Sequence, residues 1–163
     1  MSFELVLLIT QTAFVGFLAA WLTTGVYENL FYSDLNATFT AEVLDMTRLR
    51  NDFPDAYERV AHRRVVNPTI QRFLFRFIVF WEVLATLALW VGLIALVMAV
   101  TGNLTGDIAR AYALRGVLMF TSTWAGFLIA GNWFCYWFCH EGAQNTHYQM
   151  TLWGLGTAIL IAI

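Results

Sequence analysis

The stretch Phe73–Val100 reads FLFRFIVFWEVLATLALWVGLIALVMAV and carries only two charges, Arg76 and Glu82. About 20 apolar residues in helical form are enough to cross the hydrocarbon of a bilayer, where every backbone polar group must be satisfied within the chain. The stretch is therefore read as a membrane span, and the remaining apolar runs must pack beside it. Asn67-Pro68 supplies a cap and a first-turn proline just upstream, which places the helix over 68–100. That is longer than a bilayer needs, so the helix tilts or projects at the end bearing Arg72 and Arg76.

The rest of the composition fits this reading. The 163 residues are 60% hydrophobic, 17% aromatic and 12% charged, whereas about a quarter of a soluble domain is charged. A net charge of -2 without a basic cluster argues against a nucleic-acid partner. Every basic residue is Arg, a codon-usage hint of a GC-rich bacterial genome.

Leu5–Leu22 is apolar, with no basic residues before it and no convincing cleavage site, and reads as a membrane helix of about 3–27 rather than a removed signal peptide. Its Gly16, Ala19, Ala20 and Gly25 form a small-residue side for close approach of a neighbour. Composition then changes: Glu28–Gln71 holds seven of the eleven acids, five of the nine Arg and both prolines. Here Phe39, Val43 and Met46 recur at helical spacing behind a cap at Asp34 or Asn36, and a second short helix starts at Phe53-Pro54-Asp55. After Thr101-Gly102-Asn103 a third long helix covers about 108–134. Its Thr121, Ser122 and Thr123 are suited to bonds between helices, and Trp133, Tyr136 and Trp137 to the headgroup level. A polar segment over 139–146 leaves the hydrocarbon, and a last span covers about 147–163. The fold class expected is all-α: a single membrane domain over 1–163, with four transmembrane helices and an extramembrane, interfacial helical loop over 28–67.

Few side chains invite chemistry. Glu82 is the one acid near the middle of a span. A carboxylate there must be protonated, paired or hydrogen-bonded, and Ser and Thr of the third helix are the candidate partners. A proton relay is the sharper alternative. Cys135, Cys139, His140 and His147 make C-x3-C-H plus a second His, one residue longer than the covalent haem motif. At i and i+4 the two thiols would share one helix face, where a disulfide constrains nothing. None of His62, His140 and His147 lies within an expected hydrocarbon core, where a haem ligand would stand. There is no phosphate loop, zinc-protease motif or nucleophile elbow. The reading is no catalytic residue, no metal and no cofactor. Arg72 and Arg76, with Arg63 and Arg64, are expected to hold anionic phospholipid headgroups or to pair with acids of the loop.

At Asn29-Leu30, Asp34, Asn36 and Val43-Leu44-x-Met46, after one span, the chain resembles a bacterial family of predicted small integral membrane proteins. Members have four spans, an acid in the second, and an aromatic-rich end to the third followed by a Gly-Ala pair. The corresponding features here are Glu82, Trp133–Phe138 and Gly142-Ala143. The chain departs from the pattern at Gln144 and Asn145, where relatives often have an aromatic residue and Arg. The resemblance implies a fold and no activity. An Arg count puts the long loop in the cytoplasm. The basic residues that family members carry at their start and between spans two and three imply the reverse, and Arg110 and Arg115 are the remnants of those here. The reading adopted is both termini cytoplasmic, in a bacterial inner membrane. The expected function is that of a non-catalytic accessory subunit of a respiratory or photosynthetic membrane complex, bound to other integral membrane proteins. The alternatives are a small transporter or proton channel using Glu82, and a haem or metal protein using Cys135, Cys139, His140 and His147.

Overall fold

Four long helices carry the chain in a computed structural model that describes residues 2–163. They are α1 (Phe3–Phe31), α5 (Pro68–Val100), α6 (Gly106–Trp133) and α7 (Glu141–Ala162). Three short ones, α2 (Ser33–Leu44), α3 (Thr47–Asp52) and α4 (Pro54–Val60), lie between the first two. No strand occurs among the described residues. The helices start where local chemistry supplies partners for their first N–H groups. Ser2 Oγ accepts from Leu5 N at 3.3 Å. Asn67 Oδ1 accepts from Thr69 N at 2.9 Å, and Pro68 follows it as the sequence leads one to expect. α1, α5 and α6 are each long and apolar enough to cross a membrane.

In space the order follows the chain: α1 lies on α5, α5 on α6 and α6 on α7, while α1 meets α7 only sparingly. Val15, Leu18, Leu89, Leu96, Val117, Phe120 and Ile161 fill the centre. α5 and α6 approach each other backbone to backbone. A Cβ on Gly92 would stand 2.7 Å from Ala113 Cα, and one on Gly116 2.8 Å from Leu89 Cα. Small residues permit this backbone proximity, on which helix association in lipid depends. The small side expected on α1 is used less: Gly16 merely touches Leu93, and Gly25 has nothing within 4 Å of its Cβ position.

A clasp holds the end of the bundle where the chain starts and ends. Gln11 is fully buried, donates to Leu160 O at 2.9 Å and accepts from Arg110 Nε at 3.2 Å. Arg110 also meets Glu4 at 2.5 Å. At the opposite end α2–α4 cover the bundle, anchored by Met46, Leu49 and Cys135 with Tyr57, Val60 and Phe138 around them.

Four local expectations fail there. α1 does not stop at Tyr27 but continues to Phe31, and a break at Tyr32 alone leads into α2. Tyr32 N–H bonds back to Glu28 O at 2.7 Å, so α2 opens without a side-chain cap and neither Asp34 nor Asn36 serves as one. Met46 is not helical: it sits between α2 and α3 at φ 56, a left-handed conformation uncommon for residues other than Gly. Cys135 takes the same conformation at φ 54, and a 3₁₀ turn over Tyr136–Phe138 follows it. The two free cysteines therefore do not share a helix face.

Candidate functional site

Between the long helices and beneath α2 lies a half-open cavity of about 330 Å³. Each long helix contributes to its wall: Trp21, Gly25, Glu28 and Asn29 from α1, Phe75 and Glu82 from α5, Trp124 and Phe127 from α6, and His147 from α7. Asn36, Phe39 and Val43 of α2 form its roof, and Tyr136 enters from the turn after α6.

Glu82 is 5% exposed. Asn29 Nδ2 donates to its Oε2 at 2.7 Å, and Asn36 Nδ2 donates to Asn29 Oδ1 at 2.7 Å. A chain of three polar side chains thus runs from the roof to the buried carboxylate. Asn29 lies on the buried stripe of α1 that also holds Gln11, Val15, Leu18, Leu22 and Val26, and this stripe points it at α5. The partner expected from α6 is absent for a local reason. Thr121, Ser122 and Thr123 all donate to carbonyls of their own helix, at Val117, Met119 and Met119, 2.7, 2.9 and 2.9 Å away. Thr86 does the same on α5, donating to Glu82 O.

The aromatic wall is continuous. Trp21 and Trp124 rings lie 5.9 Å apart, and His147 packs against Phe127, Trp124 and Tyr136 at 4.9, 5.6 and 6.1 Å. His147 is thus inside the bundle rather than at its rim. Three buried polar atoms of this wall have no hydrogen-bond partner among the described residues: Trp124 Nε1, Tyr136 Oη and His147 Nδ1. A buried donor or acceptor left unpaired costs about 1–3 kcal/mol, a cost a ligand or water can relieve.

The other nominated residues lie apart. His140, buried, meets Phe39 edge-on at 5.0 Å, while Cys135 and Cys139 pack into the anchor of the loop helices. Burial and then the charge of Arg48 hold the His140 pKa below its ordinary value, and burial raises those of Cys139 and Tyr136. The set Cys135, Cys139, His140 and His147 does not converge, and among the described residues no three His, Cys, Asp or Glu side chains stand close enough to hold a metal.

The four arginines are not paired with acids among the described residues. Arg63 lies over the Trp133 ring at 4.8 Å and donates to Trp133 O at 3.3 Å. Arg64 donates to Tyr57 Oη at 2.7 Å, and Arg72 to Pro68 O at 3.2 Å. Arg72 and Arg76 stand exposed on α5.

The family described as predicted small integral membrane protein (DUF2165) matches residues 7–163. No curated protein and no solved structure matches the chain.

Proposed function

The chain belongs to this family of predicted small integral membrane proteins, and on that premise we propose a four-span, non-enzymatic protein of the bacterial inner membrane that works as an accessory subunit of a larger membrane complex. In this reading α7 is the fourth span. Its support is its 22 residues, its antiparallel packing on α6 and an outer face of Leu152, Leu155 and Ile159. α2–α4 are the interfacial loop, with both termini cytoplasmic.

The observation that carries the subunit reading is the outer face of α5. Phe73, Phe77, Phe80, Leu84, Leu87, Val91, Ile94 and Met98 are all exposed and follow one another at alternating spacings of four and three. Lipid is satisfied by any apolar order, whereas this spacing also lets side chains interlock with a partner helix. Arg72 and Arg76 close the face at one end, where anionic headgroups complete the contact. Mild extraction from the native membrane, native electrophoresis and mass spectrometry of the band test the reading. Co-migrating membrane proteins are expected, and migration alone in several mild detergents with added lipid counts against it.

A second reading, a small transporter or proton channel, is favoured by the cavity at Glu82. Its test is proton flux into liposomes that disappears in Glu82→Gln.

A further inference from the structure

We propose that the cavity at Glu82 is a binding site for a small organic cation, an aromatic or alkyl ammonium. The inference goes beyond the subunit reading and does not depend on it. Three observations meet in the cavity. The first is charge: two carboxylates line the space, Glu82 within and the exposed Glu28 at its rim, and no Arg does. The second is the state of Glu82. One oxygen accepts from Asn29, while Oε1 has no partner among the described residues and is not among the polar atoms sealed from the cavity. A carboxylate this far from water is stabilised by protonation, hydrogen bonds or a counter-charge, and the bundle gives it one amide donor and no basic side chain.

The third is the wall. Trp21, Trp124, Phe39 and Tyr136 line the same cavity as the acid, and aromatic rings are the surface a desolvated ammonium prefers. The volume of about 330 Å³ falls at the small end of ligand pockets. Phospholipid ammonium groups fit less well, because each brings a phosphate into a space whose only fixed charges are negative.

The test is isothermal titration of the full chain in dodecyl maltoside, a detergent with no ammonium group. Three probes of similar size are compared: benzyltrimethylammonium chloride, neutral benzyl alcohol and sodium benzenesulfonate. Saturable binding of the ammonium alone is expected, one per chain. Glu82→Gln should weaken it about tenfold or more, as for loss of one member of a buried charged pair. Gly25→Leu is the second variant: a Cβ there meets nothing within 4 Å, and the added side chain should weaken binding comparably by filling the space. Circular dichroism establishes that each variant is helical. Should Glu82→Gln fail to fold, the three probes decide the role of charge and Gly25→Leu decides the place. The proposal is overturned by no saturable binding, by equal binding of the neutral or anionic probe, or by unchanged affinity in either folded variant.

Discussion

Asn29 is the residue on which the buried acid depends. Replacing it by Ala leaves the Glu82 carboxylate without a donor among the described residues, at an expected cost of about 1–3 kcal/mol in unfolding free energy. In a double-mutant cycle with Glu82→Gln the two changes should couple by at least about 0.5 kcal/mol; additive effects would mean that the bond contributes nothing. His140 gives a pH-dependent expectation. It lies between Phe39 and the charges of Arg48 and Glu42, and its depressed pKa means that the folded chain holds the neutral imidazole. Stability is then full above the unfolded value of about 6.5 and is lost as pH falls below it, where the unfolded chain takes up the proton first. Thermal unfolding followed across that range should show a smaller acid-side loss in His140→Phe than in the parent, the buried His147 remaining in both. Glu82 was legible in the sequence as the lone mid-span acid. Its partner was not, because a helix judged to end at Tyr27 assigns Asn29 to the loop.

At the scale of the element, α1 explains that miss. Leu8, Gln11, Val15, Leu18, Leu22, Val26 and Asn29 are all buried at spacings of three and four, so the stripe that predicts its inner face continues past Tyr27. Following it would have extended the helix and placed one amide near each end of the bundle. The α5–α6 seam was hidden for a different reason. Gly92 and Gly116 look no different in the sequence from Gly25 or Gly156, and only the partner backbone distinguishes them. Gly116→Leu should therefore separate α5 from α6 and destabilise by about 1–3 kcal/mol or prevent folding, as overpacking does. Gly156→Ala, with nothing within 4 Å of its Cβ, should leave the unfolding midpoint within a few degrees of the parent.

Across the whole molecule the two ends are built differently. One is clasped by Gln11, Arg110, Glu4 and the Leu160 carbonyl. The other holds the half-open cavity between the long helices and is roofed by α2. Gln11→Leu removes partners from both Arg110 and Leu160, and denaturation in mixed micelles should register a loss of about 1–3 kcal/mol. Cysteines placed singly at Ser2, Asp107 and Glu58 test the topology. Impermeant thiol reagents should label the first two from one side and the third from the other. Labelling of all three from a single side would contradict the arrangement. The membrane class and the helix order were readable from hydropathy, which records composition along a line. The cavity was not, since it lies between stretches far apart along that line.

The run from Asn36 through Asn29 to Glu82 has a mechanical consequence. Asn29 spends its carbonyl on the roof and its amide on the acid, so neither end can be exchanged by rotating the side chain without releasing both. Lifting α2 takes away the Asn36 donor that fixes the Asn29 carbonyl, and with it the constraint that keeps the Asn29 amide turned toward Glu82.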